Sequence, residues 1–278
     1  MTYATRFAPS PTGPLHIGHA YSALIAAERA AAAGGIFHLR FEDTDMSRVR
    51  PEWVTLIEKD LSWLGLNWPK PPLKQSDHFG RYDEALMRLI DMDLVYPCSC
   101  SRADIVAAGA APQEGATYGP IYPGTCRGRS MDTRRPGDAL RLDMERASDR
   151  LGTLEFVETG PIRPGTKTVT KADLLKTAGD IVLARKDAGV VSYFMASAID
   201  DDFQSITEVV RGEDLFAFTA VQVLLLSLLG LRVPTYHHHK LIRDDQGKRL
   251  AKRDDARAIS SYRSNGATPA DIRKLVGL

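Results

Sequence analysis

Two histidines and a glycine, His16, Gly18 and His19, stand inside RFAPSPTGPLHIGHAYSAL, residues 6–24. Imidazoles donate hydrogen bonds to phosphate oxygens as charge develops there, and a glycine between them lets a flat base lie against the backbone. The chemistry suggested is nucleotide binding, and it requires a junction that holds these groups. Residues 2–8 read as a first strand, Pro9, Pro11, Gly13 and Pro14 keep the chain in turns, and apolar periodicity over 17–33 predicts a helix. A strand thus hands over to a helix at these three residues, where backbone N–H groups and the helix dipole face an anion, usually a phosphate. Taken alone, HxGH is short enough to arise by chance at a surface turn.

Other groups able to do chemistry follow along the chain. A strand over 36–41 ends in Glu42, Asp43 and Asp45, which a solvated loop or a helix cap would also explain. Apolar spacing at Trp53, Leu56, Ile57, Leu61 and Leu64, and again at Ala85, Leu86, Leu89 and Ile90, predicts two core helices. All three cysteines, Cys98, Cys100 and Cys126, fall in one 29-residue window. With the Tyr122 oxygen as a fourth ligand they would make a compact tetrahedral zinc site; otherwise they are small buried hydrophobes. ALRLD and TLEFVE are short strand-like pieces. Arg134, Arg135, Arg141, Arg163, Lys167, Lys171 and Lys176 are scattered around them, as a solvated face or an RNA-contacting surface. Tyr193 reads as ordinary core and Arg211 as an ion-pair partner of Glu213 or Asp214, unless a substrate claims them. In YHHHK, residues 236–240, strand neighbours alternate faces, so three imidazoles cannot converge on one ion.

Composition narrows the class. The 278 residues are 44% hydrophobic and 26% charged, enough for one large domain carrying an insertion. Thirty-six basic against thirty-five acidic side chains leave a net charge of +1, so any RNA must meet a local basic surface rather than a global field. The most apolar run, 217–231, is interrupted by Thr219, Gln222 and Ser227 and reads as a buried helix, too short and mixed to span a bilayer. An odd cysteine count argues against a disulfide framework, and Met1 leaves no room for a leader before the first motif. These features lead us to expect a cytoplasmic protein without a membrane partner.

In its long form, RFAPSPTGPLHIGH resembles the signature HIGH segment of class I aminoacyl-tRNA synthetases, in the glutamyl and glutaminyl branch. FEDTDMSRVRPEW and DIVLARKDAGVVSYFMASAIDDDFQSITEVVRGEDL are similar to the same branch, and GKRLAKRD, residues 247–254, looks like a diverged KMSKS loop. There Leu250 replaces methionine, Ala251 and Arg253 replace serines, and Lys252 keeps the lysine. The resemblance implies an α/β fold. It would be a Rossmann-like catalytic domain over 1–93 and 185–243, split by an inserted zinc-containing α+β subdomain over 94–184. The loop and a short helical tail would follow over 244–278.

The same resemblance implies roles. Arg6, Ala8, Ser10, Glu42, Tyr193 and Arg211 would hold L-glutamate, with Glu42 on the ammonium and Arg211 on the side-chain carboxylate. An arginine suits that task because its planar fork offers two hydrogen bonds. His16, Gly18, His19 and Lys252 would serve ATP and its Mg2+, and His16, His19 and Lys252 would carry catalysis. Ser197 stands where relatives often have asparagine, and His238 stands in the place of a histidine near their adenine site. Only 26 residues follow Lys252, so no large anticodon-reading helical domain is expected. In this, and in the CxC…YxxxC pattern, the chain resembles the glutamyl-Q tRNA(Asp) synthetases. Such an enzyme would act as a monomer, activating glutamate without tRNA and transferring it to the queuosine base of tRNA(Asp). Two competing readings are a shortened glutamyl-tRNA synthetase that charges the 3′ end of tRNA(Glu) and a non-catalytic RNA-binding paralogue.

Overall fold

The computed structural model describes residues 2–108, 121–185, 191–242 and 258–278. Its first sheet is parallel: β1 (Ala4–Phe7) lies beside β2 (Ile36–Phe41), which lies beside β3 (Leu73–Lys74). Between β1 and β2 runs α1 (Ile17–Ala32), whose buried face is mostly alanine: Ala20, Ala23, Ala26 and Ala30 with Leu24. Small side chains let this helix lie close on the sheet, and the Thr5 hydroxyl donates to Ala26 C=O at 3.1 Å across the contact. Two helices, α2 (Pro51–Trp63) and α3 (Phe79–Asp91), follow as their periodicity predicts. Ile57 and Leu61 of α2 are fully buried with Leu39 and Phe41 of β2.

A second parallel ladder sits alongside the first. It joins β9 (Glu208–Gly212) to β10 (Thr235–His239), with Val209 opposite Tyr236 and Arg211 opposite His238. Thr207 N–H donates to Ala4 C=O at 2.9 Å, which holds β9 against β1. Helices α7 (Tyr193–Phe203) and α8 (Thr219–Leu228) flank β9 in the chain and pack against each other, with Gln222 of α8 donating to the Ser197 hydroxyl of α7 at 3.2 Å. The single long helix expected over 217–231 is shorter: residues Glu213–Phe218 wind as a 3-10 turn, and Gly230, at φ +65°, closes the end.

Between α3 and α7 the chain builds β4 (Val95–Cys98), α4 (Arg102–Ala107), β5 (Ala139–Leu142), α5 (Met144–Leu151), β6 (Leu154–Glu158), β7 (Gly165–Val169), α6 (Lys171–Thr177) and β8 (Val182–Ala184). Strands β4, β5 and β8 form an antiparallel sheet of their own. The β6–β7 hairpin behaves differently: β6 runs parallel to β10, with Glu158 opposite Tyr236, and so extends the β9–β10 ladder. One apolar core accordingly takes Leu140, Leu142, Met144, Phe156 and Leu183 from this stretch together with Val209, Val221, Leu224 and Tyr236. At the C-terminal end, α9 (Ile259–Ser264) and α10 (Pro269–Val276) bury Ile259, Ile272 and Val276 in the core of the first sheet. No described helix is long and apolar enough to cross a membrane.

Candidate active site

A cavity of about 560 Å3 opens where β1, the start of α1 and the exits of β2, β9 and β10 meet. Arg6, Ala8, Ser10, Glu42, Tyr193 and Arg211 line it, as do His16, Gly18 and His19. The chain thus brings together nine of the ten residues expected to handle glutamate and ATP. The tenth, Lys252, lies outside the described residues, as do Ala251 and Arg253.

At one end the start of α1 is built by its own histidines. His16 is the N-cap, with extended backbone, and its Nδ1 accepts the Gly18 N–H at 3.1 Å. His19 Nδ1 accepts the His16 N–H at 3.2 Å, so each imidazole satisfies one amide that the first helical turn leaves unpaired. A nitrogen that accepts carries no proton, so in both neutral rings the proton sits on Nε2. The rings lie close, with centroids 3.7 Å apart and planes tilted by 31°. A Cβ at residue 18 would stand 3.1 Å from His16 Cε1, so a side chain there would press on the capping ring. Two Nε2–H donors at the positive end of a 16-residue helix suit a polyphosphate.

The other end is built from buried charge. Arg6 donates from Nε and Nη2 to both oxygens of Asp201, at 2.9 and 3.3 Å, and from Nη1 to Val210 C=O. Arg40, which has no exposed surface, donates to the same carboxylate at 2.7 Å and to Glu42 at 3.3 Å. Burial opposes ionisation of Asp201, but the two guanidinium groups outweigh it and hold the carboxyl below its ordinary range. For Glu42 burial wins over Arg40 and Arg6, and its carboxyl is raised. The acidic end of β2 is therefore divided. Glu42 faces the cavity, Asp43 takes the Ser76 N–H and hydroxyl at 2.8 and 2.7 Å, and Asp45 binds Ser47 and Arg48 at the surface.

Arg211 keeps different company. Its Nε donates to His238 Nε2 at 3.0 Å, Nη1 to the Gln222 side-chain oxygen at 2.6 Å, and Nη2 to the Thr219 hydroxyl at 2.8 Å. The ion pair with Glu213 or Asp214 does not form, and among the described residues no carboxylate neutralises this guanidinium. Three neutral acceptors use one N–H on each nitrogen and leave one on each terminal nitrogen. Ser197 enters from behind: its hydroxyl accepts from Gln222 at 3.2 Å and from Arg40 at 3.4 Å. Thr219 and Gln222 sit three residues apart on α8 facing Arg211, and their one trace in the sequence is that they interrupt an apolar run.

The three histidines of β10 part company. His238 does not line the cavity; it is buried between Glu158 and Arg211, and His239 is the imidazole of β10 at the cavity wall. Strand alternation sends His239 toward Ser22, at 2.7 Å, and His237 toward Thr159, at 3.1 Å, with His238 on the opposite face.

Away from the cavity, Cys98, Cys100 and Cys126 place their Sγ atoms within 4.8 Å of one another. Cys100 and Cys126 are 3.6 Å apart, and the Tyr122 oxygen is 3.4 Å from both Cys98 and Cys100. Ligands of a tetrahedral zinc stand roughly 3.8 Å from each other, so this donor set fits that ion with little adjustment. Burial opposes ionisation of Cys126, but hydrogen bonds from Tyr122, Ser99 and Cys100 bring the thiol down to about 6, toward the thiolate a metal binds.

Comparison with known proteins identifies the family. The family described as tRNA synthetases class I (E and Q), catalytic domain, matches residues 2–278. The chain is 52% identical over 282 residues to a glutamyl-Q tRNA(Asp) synthetase of Rhodobacter capsulatus, covering 99% of each chain. It is 38% identical to one of Symbiobacterium thermophilum, covering 96% of this chain and 83% of the relative. The crystal structure of glutamate-tRNA synthetase from Elizabethkingia anophelis superposes with a TM-score of 0.75 at 26% identity. That match takes in 99% of this chain and 61% of the other, so the chain spans about three fifths of that protein. With HIGH at a helix start, a guanidinium in the same cavity that no carboxylate among the described residues neutralises, and a family match over residues 2–278, the chain belongs to the class I tRNA synthetase family of the glutamyl and glutaminyl branch.

Proposed function

We propose that this protein is a ligase that activates L-glutamate with ATP and transfers the glutamyl group to the queuosine base of tRNA(Asp). The observation that carries the amino-acid assignment is the buried Arg211 with its neutral ring of acceptors. A guanidinium in that setting gains most from a ligand that brings its own carboxylate. Tyr193 borders the same space, Glu42 takes the substrate ammonium, and Arg6, Ala8 and Ser10 complete the pocket. The RNA acceptor rests on the 52% identity, over 99% of both chains, to a protein named for it.

In the activation step an oxygen of the substrate's α-carboxylate attacks the α-phosphorus of ATP, and the bond from that phosphorus to the pyrophosphate oxygen breaks. No protein nucleophile is needed. The chain aligns the two substrates and stabilises charge on the departing oxygens, with His16 and His19 donating from Nε2, Gly18 leaving room for the base, and Lys252 adding a cation. Mg2+ arrives with ATP on its phosphates. Cys98, Cys100, Cys126 and Tyr122 hold one structural Zn2+, which would cross-link β4 to the loop after residue 121. Residues 94–184 form the insertion between two halves of the catalytic domain, and the enzyme works in the cytoplasm as a monomer.

The test is to incubate the protein with labelled glutamate, ATP and total tRNA from cells with and without queuosine, then identify the labelled RNA. Label on tRNA(Asp) only when queuosine is present is the expected result. Label on unmodified tRNA(Glu) would replace the proposal with 3′-end charging, and absence of glutamate-dependent ATP–pyrophosphate exchange would replace it with a non-catalytic role. Metal analysis of the same preparation should find one zinc per chain, and folded, active, metal-free protein would remove the zinc assignment.

A further inference from the structure

Glu158 ends β6, in the stretch between the two halves of the catalytic domain, and its side chain is 1% exposed. Its Oε1 accepts the backbone N–H of His238 at 3.0 Å and that of Gly160 at 2.6 Å. The other oxygen, Oε2, stands 2.5 Å from His238 Nδ1. On the far side of the same ring, Nε2 faces Arg211 Nε at 3.0 Å.

The protons in this chain of contacts are fixed by valence. An arginine Nε–H only donates, so His238 Nε2 must be unprotonated there. The ring proton is then on Nδ1, where the Glu158 carboxylate receives it. Reversing the tautomer would set two N–H donors against each other between His238 and Arg211. Arg211 and His238 are register partners on adjacent parallel strands, so their side chains share one face of the sheet and the contact is inherent in the topology. The carboxylate is seated by a close turn: a Cβ at Gly160 would come within 2.3 Å of His238 C=O and 2.6 Å of Glu158 Oε1.

We propose that Glu158 is a positioning residue for glutamate recognition: through His238 it fixes the orientation of the Arg211 guanidinium so that the remaining N–H groups meet the substrate's side-chain carboxylate. This rests on the reading of Arg211 as the carboxylate-binding residue. Glu158 touches no substrate and acts only through the imidazole. The groups facing His238 agree with a neutral ring. Arg211 comes from β9, Glu158 from β6, and the Thr219 hydroxyl from α8 at 3.3 Å. Phe216 meets the ring edge-on with Arg163 above it, Tyr236 stacks along β10, and His239 follows on the same strand. Burial disfavours the imidazolium more than Glu158 favours it, and the pKa of His238 falls to about 4.

Glu158→Gln keeps the shape but gives one end of the group an NH2, which must face either His238 Nδ1–H or the two backbone N–H groups. The expected result is a rise of about tenfold in KM for glutamate in ATP–pyrophosphate exchange. KM for ATP should stay within twofold, and discrimination against glutamine should fall. Equal rises for both substrates, or an unchanged KM for glutamate in folded protein, would overturn the proposal. If that variant does not fold, His238→Gln and His238→Leu decide: the first keeps an acceptor for Arg211 and should hold KM within about threefold, the second should raise it about tenfold. Similar values for the pair would overturn the proposal. A 15N spectrum of the wild-type protein at pH 7 reads the tautomer without any activity: Nδ1 protonated is expected, Nε2 protonated would overturn. Failure of the functional reading itself is separate, because the wild-type protein would then show no glutamate-dependent exchange.

Discussion

Arg6 and Arg211 border one cavity and are both buried, at 4% and 5% exposure, yet their charges are disposed of in opposite ways. Arg6 spends its guanidinium on Asp201, a carboxylate it shares with Arg40. Arg211 is held as firmly, but by an imidazole, an amide and a hydroxyl, none of which carries negative charge. An internal partner turns the first arginine into a fixed wall of the pocket. Neutral partners orient the second while leaving its charge for a ligand. A buried cation is costly without a counter-ion, and that cost is the ground for proposing that substrate completes the site around Arg211.

The contrast is most sharply broken at Arg211. Arg211→Leu should abolish glutamate-dependent ATP–pyrophosphate exchange, a loss of about a thousandfold or more, because the substrate carboxylate would be desolvated with no partner. Unchanged exchange would remove Arg211 from the site. Next in size is Asp201→Asn, which leaves Arg6 and Arg40 without their shared carboxylate. It should cost about 3–5 kcal/mol of stability and lower the melting temperature by roughly 10 °C, more than Arg211→Leu does. The sign with pH follows from the same pair. The Asp201 carboxyl is lowered in the folded protein, so its contribution is fully present above about pH 4 and is lost as pH falls through the folded value. Glu42, which is raised, runs the other way and partly offsets that loss. Acid unfolding followed by circular dichroism should therefore be shallower in Asp201→Asn than in the wild type; parallel profiles would mean that Asp201 is not the group holding the two arginines.

The smallest expected effect is at Ser197, which links the two environments by accepting from both Arg40 and Gln222. Ser197→Ala removes that link and should raise KM for glutamate two- to fivefold, an effect of about 1 kcal/mol or less, with little change for ATP. A rise as large as that expected for Glu158→Gln would place the main support of Arg211 on the α7 side rather than on β6.

What could be read in advance was local. Prolines and a glycine before an apolar-periodic run locate the start of α1, and the residues that cap it are the histidines of the motif itself. Strand β2 falls where its pattern puts it for the same reason. The partners that give those residues their character were not legible, because they come from far along the chain. Asp201 meets Arg40 across 161 positions and Glu158 meets His238 across 80, and no spacing rule joins them. Parity was the other obstacle. Alternation in YHHHK separates His238 from its neighbours, but a strand pattern does not say which face looks into the cavity, and here it is His239 that does. Gln222 left a usable sign: a polar amide inside an apolar helix needs a buried partner, and Arg211 is that partner.

The pairing of β6 with β10 bears on how this enzyme could be re-engineered. Exchanging the whole stretch between α3 and α7 for that of another synthetase would carry away Glu158, Gly160 and β6, the strand that pairs with β10 at Tyr236. A graft confined to the antiparallel β4–β5–β8 sheet and its cysteines, leaving 154–169 in place, would change that sheet while the cavity around Arg211 kept its native backing.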